Sequence, residues 1–214
     1  MRHILVYADS LSWGIIPGTR RRHPFATRWP GILEINLNQQ GQSVRVIEDC
    51  LNGRRTVWND PFKPGRKGLQ GLQQCIEIHS PLELVILMLG TNDFQSMHPH
   101  KAWHAAQGIA TLVTAIRQSP VEPGMPIPEI LLLVPPLINT PKGDIAPKFE
   151  GGAEKCVGLA DAYREVADQL SCHFIDAGTI ISASNTDGVH LDAEDHVKLG
   201  KALALPVIEL LPSN

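Results

Sequence analysis

The sequence predicts an α/β fold with a parallel sheet of about five strands and helices on both faces. Short apolar runs alternate with longer segments of helical periodicity along the chain. The run at residues 84–89 is almost continuously apolar, which is typical of a strand buried on both faces. The 214 residues suffice for one large core and contain no clear linker, so we expect a single domain over residues 1–214.

Short apolar runs of three to six residues predict the strands. They are residues 3–7, 44–48, 84–89, 130–134 and 173–175. The fourth run stops at Pro135 and Pro136, whose missing N–H groups cannot continue a central strand. These runs define a sheet whose strands are separated by helical segments.

Amphipathic segments between the strands predict the helices, at residues 29–40, 69–79, 101–118 and 154–170. The first helix should end before Gly41. Asp192 is a good N-cap for the last helix, and Glu194 and Asp195 follow near the positive end of its dipole. Pro206 should kink or restart that helix.

Composition excludes several classes of protein. Apolar residues make up 43% and charged residues 19%, which is ordinary for a globular protein. A net charge of -3 gives no reason to expect nucleic acid or an anionic membrane as a partner. The start of the chain lacks the apolar core of a signal peptide, so we expect a cytoplasmic location with four reduced cysteines.

A basic run, Arg20-Arg21-Arg22, stands out locally. Such runs are usually solvated loop residues. The alternative is a patch that steers an anionic substrate toward a site. The sequence leaves both interpretations open.

Polar or small residues follow several predicted strands, among them Ser10, Gly53 and Asn92. The carboxyl ends of parallel strands meet at one edge of a sheet, so we expect these residues to lie together. A serine hydroxyl is a weak nucleophile that needs a base, and the base needs a group that holds its tautomer. His190 and Asp187, three residues apart in a turn, can supply both.

The same edge offers donors for the negative oxygen that forms when a serine attacks an ester. Candidates are the backbone N–H of Ser10, the backbone N–H of Gly53 and the side-chain amide of Asn92. Gly53 suits this function because a residue without a Cβ lets the backbone approach a substrate closely.

These residues resemble those of the SGNH hydrolases, also called GDSL esterases, over nearly the full chain. Residues 8–11 (Ala-Asp-Ser-Leu) are similar to the first family block and Gly53 to the second. Residues 90–93 (Gly-Thr-Asn-Asp) resemble the third block and residues 187–190 (Asp-Gly-Val-His) the last. Residues 9–14, 28–30, 88–93 and 174–178 are similar to the bacterial arylesterase branch, some members of which also transfer acyl groups.

The resemblance implies a three-layer α/β/α sandwich with five parallel strands, the flavodoxin-like SGNH hydrolase fold. It implies Ser10 as nucleophile, His190 as base and Asp187 as the residue that orients His190. Ser10, Gly53 and Asn92 would form the oxyanion hole. No metal or organic cofactor is implied; the partner would be a small ester, and a homo-oligomer is left open.

The expected function is therefore a serine esterase for small aryl or short-chain acyl esters, with acyl transfer to alcohols as a further activity. The alternatives are a carbohydrate acetylesterase or a thioesterase on the same scaffold. A binding protein without catalysis is a third reading, suggested only by Ala8, because the first family block usually begins with glycine. If that position needs a positive φ, alanine costs about 1 kcal/mol or more.

Apolar side chains near the blocks are candidates for a substrate pocket. We assign Trp13, Ile15, Phe94 and Val189 to it. Against this stands the alternative that they belong to the core.

Each site residue also has a structural alternative. Ser10 could be a helix N-cap, Asn92 could form an Asx-turn, and Asp192 competes with Asp187 for His190. Cys50, close to Gly53, is expected to pack rather than react. The only cluster with metal-like spacing is formed by His98, His100 and His104, and it has no carboxylate or cysteine to complete it.

Overall fold

The computed structural model describes residues 1–211 and contains a five-stranded parallel sheet. The strands are β1 (Arg2–Ala8), β2 (Val44–Cys50), β3 (Leu84–Met88), β4 (Glu129–Val134) and β5 (His173–Asp176). Their order is β2-β1-β3-β4-β5, and all neighbours are parallel. The predicted fold class is confirmed.

Helices connect the strands on both faces of the sheet. They are α1 (Ser10–Trp13), α2 (Trp29–Gln39), α3 (Leu72–His79), α4 (Ala102–Arg117), α5 (Ala146–Phe149), α6 (Gly152–Lys155), α7 (Leu159–Gln169), α8 (Ala193–Ala202) and α9 (Ala204–Leu210). Short 3₁₀ turns lie at Thr91–Phe94, Gly143–Ile145 and Ala177–Thr179. Within residues 1–211, no helix combines the length and the apolar character needed to cross a membrane.

Two apolar cores sandwich the sheet, because successive side chains of a strand point to opposite faces. Leu5 and Tyr7 of β1 pack into the core under α3, α4 and α7. Ile4, Val6 and Ala8 pack into the core under α2, α8 and α9. The three-layer architecture thus follows from the strand alternation.

The strand register aligns the segments that carry the predicted site. Ala8 at the end of β1 is paired with Cys50 at the end of β2 and with Met88 at the end of β3. From β1 the chain adds β2 on one side of β1, and it then crosses to add β3, β4 and β5 on the other side, so the strand order switches between β1 and β3. Ligands of open α/β sheets bind at this switch point, beyond the carboxyl ends of the strands.

Two predicted helices differ from the structure. The segment 154–170 is not one helix, because Gly158 adopts φ 81° and separates α6 from α7. The helix predicted from residue 69 begins at Leu72, after Gly71 with φ 80°. The last helix restarts at Ala204, as expected near Pro206, which has no N–H to continue the helical hydrogen bonds.

Helices α2 and α8 pack closely because Gly200 has no side chain. A Cβ at Gly200 would lie 2.6 Å from Cβ of Ile32 and 2.7 Å from the carbonyl oxygen of Trp29.

We expect Gly200→Ala to lower the free energy of unfolding by about 1–3 kcal/mol, because α2 and α8 must move apart to make room for the methyl group. This cost exceeds the gain from the higher helix propensity of alanine. Urea denaturation measures this change. Lys201→Ala, at the exposed neighbouring position, is the control, and equal stability of the two variants would contradict the packing argument.

Candidate active site

The turn after β1 presents the Ser10 hydroxyl. Asp9, not Ser10, caps α1: its Oδ1 accepts a hydrogen bond from the N–H of Leu11 at 3.0 Å. The N-cap alternative for Ser10 is therefore wrong, and its Oγ remains available to a base. Ser10 is only 5% exposed, so its hydroxyl lies at the floor of the candidate site.

The loop before α8 holds Asp187 and His190 in one fixed arrangement. Asp187 Oδ1 accepts from the N–H groups of Val189 and His190, each at 2.9 Å. Its Oδ2 lies 2.7 Å from His190 Nδ1 and also accepts from the N–H of Gly18 at 3.2 Å. These bonds fix the carboxylate, and the carboxylate in turn fixes the imidazole ring.

His190 joins the two ends of the chain. Its Nε2 lies 3.2 Å from Ser10 Oγ, across 180 residues of sequence. If Nδ1 donates its proton to Asp187, Nε2 carries the lone pair that a general base needs. The structure therefore brings Ser10, His190 and Asp187 together in the geometry of a nucleophile, a base and an orienting acid.

Asp187 is ionised in this setting. Burial works to raise the pKa of Asp187, but the hydrogen bond and charge of His190, with the two loop N–H groups, outweigh it. The pKa of Asp187 is consequently held well below its usual value. A carboxylate that stays charged can stabilise an imidazolium formed during reaction.

The competing carboxylate, Asp192, lies elsewhere. It precedes α8, as expected of an N-cap, but its side chain makes no capping hydrogen bond. Instead, its Oδ1 accepts from Ser184 Oγ at 2.9 Å. Asp187, not Asp192, is the partner of His190.

Gly53 lies in the turn beyond β2, with φ 85°, a conformation that favours glycine. Its N–H donates to no backbone carbonyl within residues 1–211. The following residue, Arg54, is 6% exposed and donates to the carbonyl of Ala8 at 3.0 Å and to Asp49 Oδ1 at 2.7 Å. Arg54 thereby connects the Gly53 turn to the ends of β1 and β2. No local sequence pattern predicts this function.

The Asn92 side chain, after β3, bonds residues in the turns after β1 and β2. Its Nδ2 donates to Asp9 Oδ2 at 2.9 Å and to the carbonyl of Arg54 at 3.2 Å. Gln95 Nε2 donates to Asn92 Oδ1 at 2.7 Å. The side chain thus makes long-range contacts instead of an Asx-turn, and the longer bond to Arg54 is the one that an oxyanion would compete with.

Asp93, which sequence reasoning did not assign to the site, links the turn after β3 to the segment after β2. It is fully buried, and its carboxylate accepts from the N–H of Thr56 at 3.0 Å and from the Thr56 hydroxyl. Burial raises the pKa of Asp93 to about 7 against these hydrogen bonds. Burial likewise raises the pKa of Asp9 to about 6, although Leu11, His190 and Asn92 favour its charged form.

Ala8 causes no backbone strain. Ser171 is the one residue other than glycine with a positive φ in the described chain, so Ala8 has an ordinary strand conformation. Its methyl group is fully buried in the core under α2 and α8. The cost that a positive φ would impose on alanine therefore does not arise.

The four residues assigned to a substrate pocket have different surroundings. Phe94 is 0% exposed and belongs to the core, so its assignment to the pocket is wrong. Val189, at 2% exposed, packs in the same core as Phe94. Ile15 is 4% exposed, which is comparable with Ser10. Trp13 is half-buried under the guanidinium of Arg22, whose Cζ lies 4.7 Å from the ring centre.

The histidine cluster forms a stack of rings. His100 lies between Trp58 and His98, with ring-centre distances of 4.0 Å and 4.8 Å, and His104 follows at 5.5 Å. In the part of the chain that the structure describes, no group of three histidine, cysteine or acidic side chains is placed to hold a metal ion. Cys50 packs with its Sγ 3.7 Å from the Val6 carbonyl, and burial raises the pKa of its thiol.

Sequence comparison relates most of this chain to one family of enzymes. A sequence model of the GDSL-like lipase/acylhydrolase family matches residues 9–202. An arylesterase from Vibrio mimicus is 30% identical over 116 residues, which cover 54% of this chain and 49% of that protein. The matched part is thus about half the length of that relative.

Solved structures are similar over nearly the whole chain. An aryl esterase from M. smegmatis is 35% identical, with a TM-score of 0.93 and coverage of 99% of this chain and 100% of that chain. A carbohydrate acetylesterase from Sinorhizobium meliloti is 33% identical, with a TM-score of 0.92 and the same coverage of both chains.

The buried carboxyl of Asp93 should make stability depend on pH. Between its unfolded value of 3.8 and its folded value of about 7, only the folded chain keeps the proton. Unfolding then releases a proton, so the free energy of unfolding falls as pH rises through this window, by up to about 1.4 kcal/mol per pH unit. We expect Asp93→Asn, which cannot ionise, to flatten this slope.

Urea denaturation between pH 4 and pH 7 measures that slope. Asp168→Asn, at an exposed position of α7, is the matched control and should keep the wild-type slope. Identical slopes for Asp93→Asn and wild type would contradict the assignment.

Proposed function

Because this chain belongs to the GDSL-like lipase/acylhydrolase family, we propose that it is a serine esterase that hydrolyses small carboxylic esters through an acyl-enzyme on Ser10. One observation carries the proposal: Ser10 Oγ, His190 and Asp187 form a continuous chain with distances of 3.2 Å and 2.7 Å. Relatives named as an arylesterase and a carbohydrate acetylesterase support the reaction class.

In the first half-reaction, Ser10 Oγ attacks the ester carbonyl carbon while His190 Nε2 takes its proton. The N–H groups of Ser10 and Gly53 and the amide of Asn92 stabilise the negative oxygen of the tetrahedral intermediate. His190 then donates the proton to the leaving alcohol oxygen, and the acyl group remains on Ser10. Asp187 keeps the ring oriented and stabilises its positive charge throughout.

In the second half-reaction, His190 removes a proton from water, whose oxygen attacks the acyl carbon. The tetrahedral intermediate then collapses: the bond to Ser10 Oγ breaks, His190 returns the proton to that oxygen, and the acid is released. An alcohol in place of water would give acyl transfer by the same steps. The buried Asp9, bonded to Asn92, keeps that amide directed at the floor of the site.

A carbohydrate acetylesterase is the second candidate function. It is favoured by the solved acetylesterase from Sinorhizobium meliloti, which matches this chain about as well as the aryl esterase does. Both functions use the same acyl-enzyme and differ only in the alcohol part of the ester. The homo-oligomer and the cytoplasmic location stay predictions.

Ser10→Ala removes the nucleophile. We expect its kcat/KM for 4-nitrophenyl acetate to fall by about 10³-fold or more, because only binding and the oxyanion donors remain. A fluorophosphonate probe should label wild type at Ser10 and leave the variant unlabelled. Equal esterase rates for the two proteins, or labelling at another residue, would overturn the proposal.

Asn92→Ala removes one oxyanion donor. We expect kcat to fall by about 10²–10³-fold, the usual effect of losing one such donor. Asn36→Ala is the control: it removes an amide on α2 that bonds only its own helix, and kcat should not change. An Asn92→Ala variant with the kcat of wild type would show that Asn92 donates nothing to the oxyanion.

A further inference from the structure

Three cationic side chains line a cleft beside His190. It has a volume of about 470 Å³, and His190 and Asp187 form part of its wall. Arg20, Lys142 and Lys148 also line it, and apart from Asp187 the only acidic residue among its lining residues is Asp144. With histidine not counted, the lining carries a net charge of about +1, whereas the chain as a whole carries -3.

The three cations of the cleft keep their charge available. Within residues 1–211, none of the three makes an ion pair with a carboxylate. Lys142 Nζ donates to the carbonyl of Asn185 at 2.9 Å, which holds the ammonium group beside the loop that carries Asp187. That bond orients the charge without neutralising it.

Neighbouring cations affect the pKa of Lys148. Desolvation of its ammonium group lowers the pKa of Lys148, and the charges of Arg55, Lys63 and Arg20 act in the same direction against Asp60. The segments after β1 and β4, which carry Arg20, Lys142 and Lys148, therefore bring positive charge to one cleft. Like charges placed so close together repel one another, and an anion between them relieves that repulsion.

The basic run is divided among three environments. Arg22 bonds Glu48 at 3.1 Å and covers the ring of Trp13. Arg21 is exposed and does not line the cleft, whereas Arg20 does. All three arginines are exposed, and Arg20 is the one of them that lines the cleft, so Arg20 and Arg21 form a matched pair for a test.

The position of the cleft indicates which part of an ester it receives. His190 must hand its proton to the leaving oxygen, so the alcohol part lies on the side of His190. The cleft is lined by His190 and Asp187, whereas Ser10 and the oxyanion candidates Gly53 and Asn92 do not line it, so it lies on the side of His190 that is away from the oxyanion candidates. It therefore faces the alcohol part and not the acyl part.

We propose that the preferred substrates are esters whose alcohol part carries a negatively charged group, bound by Arg20, Lys142 and Lys148. The inference rests on the proposed esterase function and adds the chemical class of its leaving group. Each solvent-screened charge pair contributes modestly, so the preference depends on the three cations acting together.

The test compares 4-acetoxybenzoate with its neutral methyl ester, each rate divided by the rate of hydrolysis by hydroxide. We expect Arg20→Gln, Lys142→Gln and Lys148→Gln each to lower the ratio of kcat/KM for the charged over the neutral ester by about two- to fivefold. The triple variant should lower it further. Arg21→Gln should leave both rates unchanged.

Two further experiments vary the ionic strength and the position of the negative charge on the substrate. Raising ionic strength from about 0.01 M to about 1 M shortens the screening length from about 30 Å to about 3 Å, and should lower the wild-type ratio toward that of the triple variant. Mono-4-nitrophenyl succinate, whose charge is on the acyl part, compared with 4-nitrophenyl butyrate, should give a ratio that the triple variant leaves unchanged.

The outcomes separate the two proposals. Hydrolysis of the neutral ester that depends on Ser10, with a charge ratio unmoved in the triple variant, overturns this inference and leaves the esterase function standing. An equal decrease in Arg21→Gln, or an equal effect on the succinate ester, also overturns it. Hydrolysis that does not depend on Ser10 overturns the esterase proposal and this inference with it.

Discussion

The register of β1 between β2 and β3 is the constraint on which the rest of the site depends. Ala8 lies opposite both Cys50 and Met88, so the three strands end at the same level of the sheet. Ser10, Gly53 and Asn92 follow those ends within a few residues, and parallel pairing leaves them no other edge. The last segment reaches the same edge because α8 packs against α2. A shift of one residue in β1 would turn its side chains to the opposite faces and remove the Ser10 segment from its partners.

Buried polar groups convert this shared edge into a rigid site. Asp9, Asn92 and the Arg54 carbonyl form one network, and Asp93 with Thr56 forms a second. Each carboxyl is withdrawn from water, which raises its pKa, and hydrogen bonds offset part of that cost. A site held by such contacts needs little rearrangement when charge develops on a substrate. The cleft beside His190 differs, because its cations are exposed, Arg20 and Lys142 on loops and Lys148 on the short helix α5.

Much of the fold and of the site could be predicted from the sequence. Apolar runs gave every strand within two residues at each end, and four spaced segments gave the residues that the structure brings together around Ser10 and His190. The errors have local causes. Gly158 interrupts a segment whose periodicity continues across it, and Phe94 follows a strand but turns inward to the core. The helical period does not show that the backbone of Gly158 adopts a positive φ. The sequence position of Phe94 does not show that its side chain points into the core.

The sequence by itself determined the strands, most of the helices, the order of the segments that carry the candidate site and the types of residue proposed for acyl transfer. These follow from periodicity and spacing, which act over a few residues. Only the tertiary structure decided that Asp187 and not Asp192 bonds His190, that Arg54 and Asp93 fasten the oxyanion segments, and that Arg20 alone of its run enters the cleft. Those choices depend on contacts between residues far apart in the chain. The packing of both cores against the sheet sets such contacts, and no local pattern encodes them.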